Sequence, residues 1–495
     1  MDAGAISAFV IYLAGMLVIG LICYKLTKNL SDYMLGGRNL PPAVAALSAG
    51  ASDMSGWLLL GLPGAVYAAG MNQIWIGIGL VIGAYLNWQF IARRLRIYTE
   101  VAEDAITIPD YLNNRFQDSS RILRMISAIV ILLFFTFYVS AGLVAGGVLF
   151  EKTFGLDYRV ALWVGSAVIV SYTFLGGFLA VSWTDFFQGL MMFLALILVP
   201  VIAVATVGGW GETTARVGAI DPAFNDIFTG MTTMGIISLM AWGLGYFGQP
   251  HILVRFMAVR TPDDVPTARL INMVWMVLAL YGAVFVGYSG IAYFAGAPLE
   301  NAETVFIEFC NVLFNPWISG FLLAAILAAV MSTIDSQLLV CSSALTEDLY
   351  RSFLRRDASQ KELVTVGRAS VLCMALIATL LATDPESGVL NLVAYAWAGF
   401  GAAFGPVIIL SLFWRRMTRN GAAAGLIMGA VTVVVWKQLE GGIFDLYEIV
   451  PGFILSALAV VVVSRLGPPP VGLVAEDFDR TLEADRTGLI TKPVE

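Results

Sequence analysis

The sequence predicts an all-α polytopic membrane protein, and its composition, its apolar runs and its charge distribution all indicate that class. Of the 495 residues, 59% are hydrophobic and 13% are charged, whereas an ordinary globular domain has roughly 25% charged residues. The apolar residues form runs of about 20, the length at which a helix crosses a bilayer. A soluble core cannot bury this many apolar side chains, so we expect the chain to lie in a membrane.

Thirteen apolar runs are long enough to be read as transmembrane helices. They lie near residues 6–25, 41–70, 73–92, 122–150, 158–176, 182–207, 231–257, 269–296, 317–346, 365–383, 388–413, 420–437 and 448–466. The expected organisation is a transporter domain over residues 1–466, with a core at about 41–413, and a cytoplasmic, disordered tail over 467–495. The tail is acidic and contains three consecutive prolines, a composition typical of disorder.

The basic residues predict which way the helices cross. An odd number of spans places the two termini on opposite sides of the membrane. With the N-terminus outside, all Lys and Arg residues fall on cytoplasmic segments except Lys152, Arg159, Arg216 and Lys437, as the positive-inside rule requires. The first apolar run is preceded by Asp2 and not by positive charge, so it reads as an uncleaved helix and not as a signal peptide. The expected location is the cell's inner (plasma) membrane.

Two spans carry clusters of glycine, serine and proline near their centres, at residues 48–56 and 241–250. Such clusters predict broken helices, since backbone groups freed in hydrocarbon must find other partners. The two spans are five apart in chain order, which is the pattern of a five-plus-five inverted repeat that relates spans two to six with spans seven to eleven. Unwound segments at mid-membrane offer carbonyl oxygens to a cation and helix ends to a carboxylate.

Asp53 lies at the centre of the first break. A carboxylate at the bilayer centre costs about 2.5–3.5 kcal/mol on insertion scales, so it needs a partner. Two interpretations are open from the sequence. Asp53 supports a bound cation, directly or through neighbouring groups, or it caps one of the two half-helices.

Small and polar residues recur on one face of the ninth span. They are Ala325, Ala329, Ser332, Ser336 and Ser343, spaced by three, four or seven residues. Such a face is often only a packing seam between helices. Because Thr333 and Asp335 adjoin it, a cation site that combines these hydroxyls with carbonyls of the second span is the second interpretation.

Other single residues have two interpretations each. Asp185, near the start of the sixth span, either serves a second cation or caps its helix. Arg38, which follows two glycines, is either a gate residue or a positive-inside anchor. His251, the one histidine in the chain, has no second histidine or cysteine with which to form a metal site. The four scattered cysteines are expected to serve packing.

Six segments resemble signature segments of the sodium/solute symporter family, and in particular its bacterial proline-transporting branch. They are residues 50–59, 242–252, 328–333, 35–38, 178–185 and 395–406. The resemblance extends from about residue 8 to 466. It implies the thirteen-helix inverted-repeat fold and sodium-coupled import of a small amino acid, L-proline, by alternating access.

The resemblance also implies a set of site residues. Sodium, the co-transported ion, is expected to bind between the second and ninth spans at Ala51, Asp53, Met54, Ala329, Ser332 and Thr333. The substrate is expected against Ser55, Gly56, Tyr138, Trp242, Tyr246 and Pro250. Aromatic faces there can enclose an apolar pyrrolidine ring while backbone N–H groups bind its carboxylate.

One departure from the proline branch concerns Asp335 and Ser336, whose positions carry serine and cysteine in that branch. Some relatives bind a second sodium ion there with help from the position of Asp185. A second sodium site at Asp185, Asp335 and Ser336 is therefore possible from the sequence, and the stoichiometry stays open.

Several functional alternatives remain at this point. The substrate could be another amino acid, a monocarboxylate or a vitamin, and the chain could be a sodium channel or a transporter-like sensor. A sensor would need an output domain, for which the tail is too short. An intramembrane enzyme is disfavoured because no histidine lies near Asp53 or Asp335 in sequence. No basic stripe suggests nucleic-acid binding, and beyond the bilayer no protein partner is indicated.

Overall fold

The structure, a computed structural model, describes residues 3–26, 34–173, 177–383 and 388–488. Twenty α-helices follow one another within these residues, with no strand element among them. They are α1 Ala3–Leu26, α2 Pro42–Met54, α3 Gly61–Ala69, α4 Ile74–Leu86, α5 Arg93–Val101, α6 Ile108–Arg115, α7 Ile122–Phe154, α8 Tyr158–Thr173, α9 Phe178–Val207, α10 Trp210–Ile220, α11 Thr233–Met240, α12 Pro250–Ala258, α13 Val265–Tyr293, α14 Val305–Leu313, α15 Pro316–Ser343, α16 Gln360–Leu381, α17 Val389–Phe413, α18 Arg419–Trp436, α19 Ile449–Leu466 and α20 Leu473–Thr487. Two π-helical stretches, Asn87–Ala92 and Ala344–Leu354, join α4 to α5 and extend α15.

The all-α prediction is confirmed. Nine helical stretches in the described part of the chain are long and apolar enough to cross a membrane. The pair α2–α3 passes the same test as one bent span, and three shorter apolar helices lie at Tyr158–Val170, Thr233–Gly248 and Thr365–Leu381.

The second span is broken where the sequence predicted. Helix α2 ends at Met54, and the chain passes through Ser55, whose φ of +36° ends helical geometry. A 3-10 turn at Gly56–Leu58 and helix α3 follow, and the two halves meet at an angle of 72°. The Ser55 hydroxyl accepts a hydrogen bond from the Trp57 amide, so Ser55, and not Asp53, caps the second half.

The seventh span is also irregular at the predicted place. A 3-10 helix at Ala241–Gly248 separates α11 from α12, and Pro250 opens α12. The 3-10 segment packs against α4 and α17. Glycines make this approach possible, since a Cβ at Gly83 would overlap the backbone of Gly243 and a Cβ at Gly245 would overlap the Trp397 indole.

Gly83→Ala is therefore expected to destabilise the protein by about 1–3 kcal/mol, the usual effect of overpacking, and to lower its thermal unfolding temperature in detergent. Gly77→Ala on the same helix is the matched control, because a Cβ there meets no described atom within 4 Å. Equal unfolding temperatures for the two variants would contradict the close packing of α4 on the 3-10 segment.

The tail was predicted to be disordered, and this prediction is wrong over Leu473–Thr487. These residues form α20, which packs on α5 with Phe478 buried. The ring of Phe478 lies 6.3 Å from that of Tyr98, and Arg115 donates a hydrogen bond to the Val474 carbonyl. The prediction relied on acidic composition and overlooked apolar residues at helical spacing. Both carboxylate oxygens of Asp479 accept hydrogen bonds from Arg415, which lowers the pKa of Asp479.

Phe478→Ala is expected to release α20, because truncating a buried phenylalanine costs about 3–5 kcal/mol. A cysteine placed at Ala475, in a background without the native cysteines, should then react with a thiol reagent much faster than in the parent. Asp479→Asn is the control, since an exposed ion pair contributes at most about 1 kcal/mol. Unchanged labelling in Phe478→Ala would show that this ring does not hold the tail.

Candidate functional site

Four oxygen atoms from the second and ninth spans converge where the sodium site was expected. The Ser332 hydroxyl lies 3.0 Å from the carbonyl oxygens of both Ala51 and Ala329. The Thr333 hydroxyl lies 3.5 Å and 3.2 Å from the same two oxygens. All four residues are buried. We call these four atoms the oxygen cluster. It brings together four of the six predicted sodium residues.

The packing of α2 explains this proximity. Ala51 sits in the last turn of α2, which packs along α15, and both helices present small residues to each other. The small polar face of the ninth span is therefore both a packing seam and an array of oxygen atoms.

Asp53 links the oxygen cluster to the aromatic residues. Its side chain is 2% exposed, and its Oδ2 accepts a 2.5 Å hydrogen bond from the Tyr246 hydroxyl. The Tyr138 hydroxyl donates to the backbone carbonyl of Asp53 at 3.0 Å. Asp53 thus contacts two predicted substrate residues, Tyr246 through its carboxylate and Tyr138 through its backbone carbonyl. Ala51, two residues earlier, belongs to the oxygen cluster.

Met54, Ser55 and Gly56 occupy the break itself. Met54 is the last residue of α2 and is fully buried. Gly56 lies against α7 and α15, since a Cβ there would come within 2.6 Å of Ala145 and 3.1 Å of Val330. A side chain at this position would push the broken segment away from both helices, so the glycine fixes the depth of the break.

An aromatic cluster surrounds the 3-10 segment of the seventh span. The Trp242 ring lies 5.9 Å from the Trp57 ring and 5.7 Å from the Tyr447 ring. The Tyr246 ring lies 5.1 Å from Trp397 in an edge-to-face arrangement. Such rings provide apolar faces together with hydroxyl and N–H donors. Pro250 begins α12 directly after this cluster.

Two of the residues predicted to bind a second sodium ion, Asp185 and Ser336, contact Arg255. Arg255 is 1% exposed, and its Nη2 lies 3.1 Å from Asp185 Oδ2 and 2.5 Å from the Ser336 hydroxyl. Ser48 donates to the same Asp185 oxygen at 2.6 Å. Asp335 is fully buried on α15, next to Ser336.

The capping interpretation of Asp185 is wrong, because α9 begins at Phe178 and its N-cap is Gly177. Asp185 lies two turns after the start of α9 and forms an ion pair with Arg255 instead.

Sequence reasoning missed Arg255 because it treated this residue as one of the cytoplasmic positive charges. The available signal was its position inside the predicted seventh span, where a charged residue needs a named partner. Gln249 and Asn87 were also missed, and both amides bond backbone carbonyls near the break, those of Trp397 and Tyr246.

Arg38 has an extensive structural role. Its guanidinium donates to Asp104, Thr99 and the carbonyls of Met257 and Ala105. It therefore ties together the segment before α2, the segment after α5 and the end of α12. Arg38 therefore does more than anchor the chain at the membrane interface.

Comparison with known proteins agrees with this architecture. The model of the sodium:solute symporter family matches residues 33–429. The Sodium/proline symporter of Escherichia coli (strain K12) is 58% identical over 476 residues, which cover 95% of this chain and 94% of that protein. The High-affinity proline transporter PutP of Bacillus subtilis (strain 168) is 56% identical over 467 residues, 94% of this chain and 98% of that protein.

Solved structures share the fold. A Na⁺-coupled sialic acid symporter, solved in a substrate-bound outward-open state, superimposes with a TM-score of 0.79 at 20% identity, over 94% of this chain and 99% of that one. The family match covers most of the chain and the relatives exceed half identity along nearly all of it. The chain is therefore a multi-pass membrane protein that belongs to the sodium:solute symporter family.

Proposed function

We propose that this protein imports L-proline in symport with sodium ions by alternating access, and that the oxygen cluster, with Asp53 and Met54, forms the sodium site. The observation that carries the proposal is the contact between the two halves of the site. Asp53 bonds Tyr246 of the aromatic cluster while Ala51, on the same helical turn, supplies a carbonyl to the oxygen cluster. A cation bound at the second span is thus coupled mechanically to the aromatic residues.

The relatives indicate which solute is carried and that the protein is not an enzyme. Those named above are described as sodium/proline or proline transporters, and a third, the Osmoregulated proline transporter OpuE of Bacillus subtilis (strain 168), is 54% identical over 93% of this chain and 94% of that protein. The protein is accordingly a transporter and not an enzyme. We propose that the pyrrolidine ring binds against the aromatic faces of Trp242 and Tyr246, with Tyr138, Ser55, Gly56 and Pro250 around it.

The fold supports thirteen membrane crossings. Nine long helices, one bent pair and three shorter apolar helices add up to thirteen, and they follow the predicted spans in order. The packing supports the five-plus-five inverted repeat. Helix α2 of span two packs against spans six and eight (α9 and α13), and the 3-10 segment of span seven packs against spans eleven and three (α17 and α4). Likewise, α7 of span four packs against span eleven, and α15 of span nine packs against span six.

The charges support an external N-terminus and a cytoplasmic C-terminus. Arg93 and Arg94 follow the third span and Arg415 follows the eleventh, so an alternating topology places all three on one side. All three contact acidic residues of α20, which follows the last span. The positive-inside rule then makes this side cytoplasmic.

A single sodium ion supplies enough energy for accumulation. Entry across 100 mV contributes about 2.3 kcal/mol, and a tenfold sodium gradient adds about 1.4 kcal/mol. The sum of roughly 3.7 kcal/mol supports accumulation of about 500-fold. The second sodium site that the sequence suggested consists of Asp185, Asp335 and Ser336. Two of these residues, Asp185 and Ser336, already bind the Arg255 guanidinium. These contacts favour one sodium ion per cycle.

Purified protein in liposomes tests the proposal. Labelled L-proline should accumulate when an inward sodium gradient is imposed, and unlabelled proline should compete better than other amino acids, monocarboxylates or vitamins. Uptake that persists unchanged when choline replaces sodium would refute the coupling. Sodium current without proline would indicate a channel instead.

A further inference from the structure

Two cavities lie in series on the face that carries the arginine clusters. The inner cavity, of about 20 Å³, reaches Pro250, Arg255 and Ser336 beside the proposed sodium site. A volume of this size holds about one water molecule. The outer cavity, of about 500 Å³, is a vestibule lined by charged residues of α6, α7 and the π-helical end of α15. Three residues line both cavities: Ile106, Thr107 and Asp348. We call their meeting point the neck.

Asp348 is the charged residue at the neck. Its side chain is 1% exposed, and neither of its carboxylate oxygens accepts a hydrogen bond from any residue that the structure describes. The nearest cation is Arg124, whose Nη1 lies 3.5 Å from Asp348 Oδ1, beyond the distance of a strong charge-assisted bond. Arg124 donates a hydrogen bond to Asp110 instead.

Glu347, which precedes Asp348 in the chain, has an arginine of its own on one carboxylate oxygen. Arg351 bonds Glu347 at 3.0 Å, and Arg121 donates to the Ser352 carbonyl at 2.6 Å. Asp348 shares its arginine with Asp110, so no cation fully pairs this carboxylate at the neck. A buried carboxylate in that position calls for a cation.

Helix geometry connects Asp348 to the sodium site. Ser332, Ser336 and Ser343 follow one face of α15, and Ser336 and Ser343 line the inner cavity. An ordinary α-turn would bring Glu347 next onto this face. The π-helical stretch Ala344–Leu354 has wider turns, seen at its end in the bond from the Arg355 backbone N–H to the Tyr350 carbonyl five residues back. It brings Asp348 to the neck instead. Such π turns often mark functional sites.

We propose that Asp348 is a transient binding site for sodium on the cytoplasmic exit pathway. An ion leaving the oxygen cluster crosses the inner cavity past Ser343, displaces Arg124 from Asp348 at the neck, and enters the vestibule, while Arg124 stays paired with Asp110. This inference rests on the proposed sodium-coupled transport and names the route by which the ion leaves.

The test uses inhibition by sodium on the cytoplasmic side. Proteoliposomes with the cytoplasmic face inward are loaded with increasing sodium, and the internal concentration that halves the initial rate of labelled proline uptake is measured. Asp348→Asn should raise that concentration by about tenfold or more, because one full charge beside the ion is lost. The external sodium concentration for half-maximal uptake should stay unchanged, since the oxygen cluster is untouched. Asp348→Glu should restore the wild-type value.

Two further variants make the test specific. Glu103→Gln removes the same charge from an exposed residue at the vestibule rim, and its internal sodium response should match wild type. Arg124→Gln removes the competing cation and should lower the half-inhibitory internal sodium several-fold; it carries the test if Asp348→Asn fails to fold. An unshifted Asp348→Asn, an equal shift in Glu103→Gln, or an unshifted Arg124→Gln would each overturn the proposal. Failure of the proposed function itself would appear separately, as wild-type uptake that ignores external sodium.

Discussion

Asp53→Ala is expected to raise the sodium concentration for half-maximal proline uptake by about two orders of magnitude. A carboxylate about 6 Å from a cation, at an effective dielectric constant of about 20, stabilises it by about 2.8 kcal/mol. That energy corresponds to roughly a hundredfold change in affinity. The measurement is a sodium titration of initial uptake rates in proteoliposomes.

Asp53→Asn separates charge from hydrogen bonding. Asparagine retains an oxygen that can accept from Tyr246, the partner of Asp53 in the structure, but has no charge. We expect Asp53→Asn to need nearly as much sodium as Asp53→Ala. A normal sodium response in Asp53→Asn would mean that the residue only positions Tyr246.

Arg255→Met is expected to destabilise the protein by about 3–5 kcal/mol, because it leaves the buried carboxylate of Asp185 without its cation. The double variant Arg255→Met with Asp185→Leu should recover most of this loss, since an apolar pair of similar volume is tolerated in place of a buried ion pair. Thermal unfolding of the purified protein in detergent measures both.

Arg216→Met provides the control for this pair. Arg216 forms an exposed ion pair with Glu212, half of each side chain being accessible, so its loss should cost at most about 1 kcal/mol. If Arg255→Met unfolds at the wild-type temperature, or if the double variant is less stable than the single one, the ion pair does not have the structural role inferred from its burial.

The sequence predicted the parts of the fold that depend on local composition. The break at Ser55 was visible because small and polar residues cluster around Asp53 in an otherwise apolar span. The face that carries Ser332 followed from helical spacing alone. Both features are encoded within about ten residues of chain, and the structure brings Ala51 and Ser332 together as expected.

Long-range partners were beyond such reasoning. Asp185 and Arg255 are 70 residues apart in the chain, and nothing local indicates that they pair. The sequence around the break likewise does not indicate that Asp53 accepts a hydrogen bond from Tyr246, 193 residues away in the chain. The neck at Asp348 depends on a π turn whose position the apolar pattern does not reveal. The tail helix was missed because composition was weighed above the periodicity around Phe478.

The central claim is that sodium at the oxygen cluster and proline at the aromatic cluster bind as a coupled pair. Coupling of this kind is reciprocal, so each ligand must change the affinity of the other by the same factor. The most direct measurement is equilibrium binding of labelled proline to the purified protein across a sodium titration, paired with sodium binding across a proline titration. We predict equal factors of tenfold or more in wild type and loss of both in the double variant Ser332→Ala with Thr333→Ala. Proline binding that is independent of sodium, or coupling that survives removal of both hydroxyls, would contradict the account.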